Sequence, residues 1–144
     1  ANYRSKNVGI IFQSFNLLPS MTALENVNLP NQISGALIDD KKGIELLKSV
    51  GLKNRLNHYP HQLSGGEQQR VAIARSLITS PEIIIADEPT GNLDKRNSEE
   101  VMKLIFKLQS DFASTLILVT HDETIAKQCN KIIKLDNGLI VKDE

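Results

Sequence analysis

Short hydrophobic runs alternate along the chain with longer stretches in which apolar residues recur at helical spacing. Three runs have the length and the β-branched composition of strands, at residues 8–12, 83–86 and 115–119. Continuously apolar strands are typical of sheets covered on both faces. The runs at 83–86 and 115–119 therefore predict strands that are buried on both faces.

The segments between these runs predict helices with recognisable starts. Thr22 with Glu25, and Ser64 with Glu67, have the three-residue spacing of a capping box, in which each side chain satisfies a free amide. The helix that begins after Ser64 is predicted to end before Pro81, because proline cannot continue a helix. Further helices are predicted at residues 39–50, 97–112 and 122–129, and polar loops at 13–20 and 53–62.

Strands that alternate with helices predict an α/β fold with a mainly parallel core sheet. Residues 21–80 contain helical patterns only, so we expect a separate helical lobe within about residues 13–80. The core then occupies about residues 81–144. It is predicted to close with a hairpin whose turn is formed by Asp136, Asn137 and Gly138.

Composition narrows the classes of protein to consider. The 144 residues make one domain's worth of chain, with 17 basic and 17 acidic residues and a formal net charge of zero. A strongly basic nucleic-acid binder is therefore disfavoured, and no nucleic-acid partner is expected. The single cysteine, Cys129, excludes an intrachain disulfide, and no apolar run reaches the roughly 18 residues of a membrane span.

An acidic pair, Asp87 and Glu88, follows the predicted strand at 83–86. Open parallel sheets bind ligands at the carboxyl ends of their strands. Neighbouring strand residues point in opposite directions, so the two carboxylates are expected to have different roles. One suits a hydrated Mg²⁺ and the other suits polarisation of an attacking water. The alternative is a helix-capping acid beside a surface acid.

The sequence Ser64-Gly65-Gly66 predicts an anion site. The glycines let a ligand approach the backbone amides, and the helix start adds free amides and a positive dipole end. The alternative is an ordinary helix start that Ser64 caps.

Two further polar residues follow predicted strands. His121 comes just after the strand at 115–119 and suits a hydrogen bond to a phosphate oxygen or to a water. Gln13 follows the first strand directly, and its amide suits an Mg²⁺ ligand or a water-holding group. A lone histidine more often makes a structural hydrogen bond, and Gln13 by itself is a weak signal of a site.

Taken together, these segments closely resemble the ATP-binding-cassette (ABC) ATPase family. Gln13 matches its Q-loop, residues 63–67 (LSGGE) its signature motif, residues 83–87 its Walker B strand, residues 91–94 (GNLD) its D-loop and His121 its switch histidine. Residues 12–19 (FQSFNLLP) and 87–94 (DEPTGNLD) are similar to the macrolide-export and lipoprotein-release branch.

This resemblance implies a P-loop NTPase-like fold that binds ATP and Mg²⁺. It implies that Glu88, His121 and Gln13 are catalytic, and that Asp87 and Gln13 hold the metal. By the same resemblance, the nucleotide contacts come from two motifs: Ser64, Gly65, Gly66 and Glu67 of the signature motif, and Asp94 of the D-loop.

The resemblance also implies partners. Two ATPase subunits would meet head to tail and drive a membrane permease from the cytoplasmic side of a bacterial membrane. A soluble ABC ATPase of DNA repair or translation is one alternative, and a non-catalytic binding fragment is another.

The family's phosphate loop, Gly-x-x-x-x-Gly-Lys-Ser/Thr, does not occur in residues 1–144. In family members this loop precedes the Q-loop, and the present chain starts just before its Q-loop. We therefore expect a cassette that is incomplete at its N-terminus and inactive alone.

Overall fold

The structure is a computed structural model that describes residues 6–143. Its main sheet is parallel, with the strand order β1-β2-β3, and an antiparallel hairpin, β4-β5, forms a second sheet. The predicted α/β class with a parallel core is confirmed. The strands are β1 (Val8–Phe12), β2 (Ile83–Asp87), β3 (Thr115–Val119), β4 (Ile133–Asp136) and β5 (Leu139–Asp143).

The helices begin where the capping patterns predict. Within residues 8–143 the helices are α1 (Ala23–Ser34), α2 (Asp40–Ser49), α3 (Gly65–Leu77), α4 (Lys95–Asp111) and α5 (Glu123–Ala126), and a short 3₁₀ helix spans Pro60–Gln62. Both predicted capping boxes are confirmed: Thr22 pairs with Glu25 before α1, and Ser64 pairs with Glu67 before α3.

The helix predicted over residues 122–129 is shorter than expected, because α5 ends at Ala126. Beyond it, the amides of Gln128 and Cys129 bond carbonyls three residues back, on Ile125 and Ala126. Bonds of that span belong to 3₁₀-type turns, which tighten the end of a helix.

Helix α3 joins the other helices to the sheet. It packs against α1, α2, α4 and β1, and Val71, Ile73 and Leu77 on it are at most 1% exposed. One hydrophobic cluster consequently runs from α1 and α2 through α3 to β1 and β2.

The prediction that β2 and β3 are buried on both faces is wrong. On β2 only alternate residues such as Ile84 are fully buried. On β3, Leu116 and Leu118 pack on the core, whereas Ile117 and Val119 are 48% and 50% exposed. The reason is that β3 lies at the edge of the sheet and the hydrophobic cluster of the described residues covers one face of it.

The predicted hairpin turn between β4 and β5 is confirmed. Asn137 and Gly138 both have positive φ, 47° and 79°, as a two-residue hairpin of the mirror-image type requires. In the described part of the chain, no helix is long and apolar enough to cross a membrane.

Gly9 sets the distance between α3 and β1. A β-carbon at this position would lie 2.2 Å from the carbonyl oxygen of Ser76, a backbone atom that cannot move without shifting α3. Gly9→Ala should therefore lower the free energy of unfolding by about 1–3 kcal/mol, measured by urea denaturation.

Gly65→Ala is the matched control. Its methyl group would meet Leu93 and Phe15 at 3.5 and 3.8 Å, which are ordinary contacts, so its effect should stay within about 0.5 kcal/mol. Equal losses in the two variants would contradict this account of the packing.

Candidate functional site

The carboxyl ends of the three parallel strands lie in register. Phe12 pairs with Asp87, and Asp87 pairs with Val119. The residues that follow each strand therefore meet at one edge of the sheet. This register brings Gln13, Asp87, Glu88 and His121 to the same edge, as the ligand-binding geometry of parallel sheets requires.

Glu88 and His121 form a hydrogen-bonded pair at this edge. The backbone amide of His121 donates to Glu88 Oε1 at 2.9 Å, and the ring Nδ1 lies 2.7 Å from the same oxygen. The amide of Glu88 donates to the carbonyl of Val119 at 2.9 Å, which fixes its backbone to β3. Two groups of His121 thus hold one oxygen of the Glu88 carboxylate.

The backbone of Glu88 is left-handed, with φ of 44°. For a residue with a β-carbon this conformation costs roughly 1–2 kcal/mol. Such conformations persist where the surroundings enforce them, and they cluster at functional sites. The conformation turns the chain sharply at the end of β2, so Asp87 and Glu88 do not continue the strand's alternation.

The pKa of His121 is raised above its ordinary value of 6.5, chiefly by the hydrogen bond to Glu88 and then by the negative charge of that carboxylate. Since the pKa is higher in the folded state, this pairing stabilises the fold fully below about pH 6.5, and the contribution is lost as pH rises through the raised pKa.

Gln13 lies against the loop that follows Glu88. Its Nε2 donates to Asn92 Oδ1 at 3.4 Å, and Asn92 Nδ2 donates to the Gln13 carbonyl at 3.0 Å. A β-carbon at Gly91 would lie 2.5 Å from Gln13 Nε2. Gly91 therefore makes room for the Gln13 side chain. Asn92 is a partner that the sequence pattern did not single out.

Asp87 is exposed at the end of β2, beside this pair. The described residues contain no group of three or more His, Cys, Asp or Glu side chains arranged to hold a metal. Mg²⁺ in nucleotide enzymes typically binds one or two carboxylates together with phosphate oxygens and water. A single exposed carboxylate fits that mode of binding.

Glu67 organises the start of α3. One carboxylate oxygen accepts a hydrogen bond from the Ser64 amide at 2.8 Å, and the other pairs with Arg55 Nε at 3.0 Å. The Ser64 amide, more than Arg55, lowers the pKa of Glu67. Both oxygens are engaged within the chain, so this geometry supports Glu67 as a capping residue. Its predicted contact with nucleotide stays a prediction.

Asp94 and Gly66 are linked through Asn97. Asp94 caps α4 by accepting hydrogen bonds from the Asn97 amide and side chain, at 3.1 and 2.5 Å. These bonds lower the pKa of Asp94. A β-carbon at Gly66 would lie 2.7 Å from Asn97 Oδ1, so the glycine makes room for that side chain. The start of α3 and the start of α4 are thereby fixed to each other.

Ser64 remains exposed at the start of α3, beside the free amides of the first turn. Two polar residues further along α3 were missed by sequence reasoning: Gln69 and Arg75 are 0% and 9% exposed and bond backbone carbonyls near Gln13. The signal that identifies them is a polar residue on the buried face of an otherwise apolar helix.

Comparisons with known proteins identify the relatives of this chain. The family described as ABC transporter matches residues 1–91. The chain is 46% identical to "Uncharacterized ABC transporter ATP-binding protein YbbA" of Escherichia coli (strain K12), covering 99% of this chain and 64% of that protein. It is also 46% identical to "Lipoprotein-releasing system ATP-binding protein LolD" of Bacteroides fragilis (strain YCH46), covering 96% and 65%.

A third relative is larger. "Macrolide export ATP-binding/permease protein MacB" of Chlorobium luteolum (strain DSM 273 / BCRC 81028 / 2530) is 49% identical, over 100% of this chain and 22% of that protein. Among solved structures, the ATP-binding cassette MJ0796 in a dimeric post-hydrolysis state bound to ADP and Pi has a TM-score of 0.84. It is 44% identical, over 98% of this chain and 63% of that one.

The chain therefore belongs to the ABC transporter family, as the ATP-binding cassette, and the predicted family and fold are confirmed. The predicted resemblance to the macrolide-export and lipoprotein-release branch is confirmed by the relatives MacB and LolD. The chain spans less than two thirds of the length of each of these relatives and of MJ0796.

The Glu88 pairing can be tested by titrating His121. An NMR titration should give His121 a pKa above 6.5, and Glu88→Gln should bring it back towards that value, because the neutral amide removes the charge. Asp122→Asn should lower the pKa less, since Asp122 acts on the ring through its charge alone. A pKa that is unchanged in Glu88→Gln would contradict the pairing.

Proposed function

We propose that the protein to which this chain belongs is the ATP-hydrolysing subunit of an ABC transporter of the macrolide-export or lipoprotein-release type. The observation that supports this proposal best is the Glu88–His121 pair beside Asp87 at the carboxyl edge of the sheet. In this proposal the helical segments within about residues 13–80 and the core of about residues 81–144 are two parts of one cassette.

Glu88 is the general base in this mechanism. Both of its bonds to His121 reach Oε1, so we assign Oε2 as the oxygen that takes a proton from the attacking water. His121 holds the carboxylate in place through its backbone amide and its ring nitrogen. A base fixed in this way loses little conformational entropy when a water is bound.

Asp87 and Gln13 are the residues that would hold Mg²⁺ in the proposed site. When bound, the ion would supply positive charge that offsets the charge developing on the transferred phosphoryl group. Gln13 reaches the site from the end of β1, and its contacts with Asn92 keep it against the loop after Glu88. Loss of the γ-phosphate on hydrolysis of ATP would then change the surroundings of the Gln13 loop.

The exposed start of α3 serves the nucleotide of a second subunit. Ser64, Gly65 and Gly66 present a hydroxyl and free amides at a positive helix end, which suits a phosphate. These groups lie at the start of α3, and no hydrogen bond among the described residues joins them to Glu88. A head-to-tail pair of cassettes would bring one subunit's α3 start to the other subunit's nucleotide and drive a permease at the cytoplasmic side of the membrane.

A non-catalytic binding role for the 144-residue chain itself is the second candidate. The observation that favours it is the absence of a Gly-x-x-x-x-Gly-Lys sequence from residues 1–144. That loop cradles phosphates with its backbone amides and its lysine.

The catalytic assignment is tested in a full-length cassette that contains this chain together with a phosphate-binding loop. Glu88→Gln should lower the rate of ATP hydrolysis by about 10²–10⁴-fold, the usual contribution of a general base. Binding of ATP should remain, because the amide keeps the size of the side chain. Phosphate release and equilibrium binding are the measurements. Near-normal hydrolysis by the variant would refute the role of Glu88.

The isolated 144-residue chain should not bind Mg·ATP at micromolar concentrations. An exposed helix start contributes about 0.3–1 kcal/mol towards an anion, whereas a micromolar dissociation constant needs about 8 kcal/mol. Isothermal titration calorimetry and phosphate release measure both properties. Saturable micromolar binding would show that residues 1–144 contain a nucleotide site of their own.

A further inference from the structure

Gln69 is a fully buried polar residue on α3. Its Nε2 donates one hydrogen bond to the carbonyl of Phe12, at 3.3 Å, and another to the carbonyl of Pro89. Phe12 immediately precedes Gln13, and Pro89 immediately follows Glu88. One side-chain amide therefore bridges the two loops that carry these residues.

The bridge that Gln69 forms between the two loops lowers the stability of the protein. The Gln69 Oε1 atom is buried and has no hydrogen-bond partner among the described residues. A buried polar atom without a partner usually destabilises a protein, and an apolar side chain of the same length would avoid that loss. The side-chain amide of Gln69 thus donates two hydrogen bonds, whereas its oxygen accepts none among the described residues. This arrangement points to a positioning role rather than to general stability.

Arg75, further along α3, holds the other side of Gln13. Its guanidinium donates to the carbonyls of Phe15, at 2.8 Å, and of Asn16, at 2.5 Å. Phe15 and Asn16 both have left-handed backbones, with φ of 61° and 51°. A backbone in this conformation needs external support. Helix α3 consequently fixes the chain immediately before Gln13 and again two residues after it.

We propose that Gln69 is a positioning residue that transmits the position of α3 to Gln13 and Glu88. This inference rests on the function proposed above, in which the start of α3 serves a partner's nucleotide. Ser64 caps the same helix whose interior carries Gln69. A displacement of α3 relative to the sheet therefore acts on the Phe12 and Pro89 carbonyls together, and so on both Gln13 and Glu88.

The test variant is Gln69→Met, made in the full-length cassette. Methionine has a similar length and volume but cannot donate to either carbonyl. Loss of positioning should lower kcat by about 10- to 100-fold, while KM for ATP stays within about twofold, because the residue contacts the two loops rather than the nucleotide.

Asn28→Leu is the matched control, because Asn28 has the same chemistry at a different place. It is 4% exposed, its Nδ2 donates to Asp40 at 2.7 Å, and its Oδ1 also lacks a partner among the described residues. Asn28 lies on α1 and bonds neither loop. The control should change the melting temperature while kcat per folded molecule stays the same. Equal kcat in the two variants and in the unsubstituted cassette would overturn the proposal.

Hydrogen exchange gives a readout that does not depend on hydrolysis. Amides of residues 13–16 and 88–92 should exchange faster in Gln69→Met than in Asn28→Leu, while amides in the middle of α3 exchange equally. Unchanged exchange at both loops would overturn the inference even if hydrolysis were lost. An unsubstituted cassette that fails to hydrolyse ATP would instead refute the proposed function and leave the exchange comparison to decide the role of Gln69.

Arg75→Lys provides a second variant if Gln69→Met does not fold. Lysine keeps the charge but loses the planar fork that reaches two carbonyls. Faster exchange is then expected at residues 13–16 alone, with a smaller fall in kcat than in Gln69→Met. Exchange that is unchanged in Arg75→Lys would also count against the proposal.

Discussion

The close contact between α3 and β1 determines where the other functional parts of this cassette lie. It depends on Gly9, whose missing side chain lets the Ser76 carbonyl approach the strand. With α3 at this distance, its first turn presents Ser64 to solvent and its interior reaches the loops at the ends of β1 and β2. Helix α3 therefore serves two functions, since it forms the centre of the hydrophobic core and also connects the separate motifs of the site.

Two residues show how far glycine patterns can be interpreted from a sequence. Gly66 belongs to the predicted anion site, where a sequence-based argument assigns it to ligand access, and Gly91 belongs to the segment that resembles a D-loop. In the structure each glycine also makes room for a side chain of the same protein, Asn97 in one case and Gln13 in the other. The two roles are compatible, because a tight contact within the chain also holds the backbone amides in a fixed orientation.

The fold and the edge that carries the site were predictable because they depend on local patterns. Capping boxes place the starts of α1 and α3, and strand-length apolar runs place the ends of the parallel strands, where Asp87 and Glu88 follow. The burial of β3 was not predictable, because its composition does not reveal that it lies at an edge. Gln69 and Arg75 were missed for a related reason: their partners are backbone carbonyls far away in sequence, and no residue type marks those.

The open face of the sheet has a practical consequence for handling this chain. Ile10 and Phe12 on β1 are more than a third exposed, and Ile117 and Val119 on β3 are about half exposed. Within the described residues, β1 and β3 also each have one side without a neighbouring strand. Exposed apolar residues beside unpaired strand edges favour association with another strand, and this tendency grows with protein concentration. Polar substitutions at the exposed positions of these two strands should therefore reduce association of the 144-residue chain.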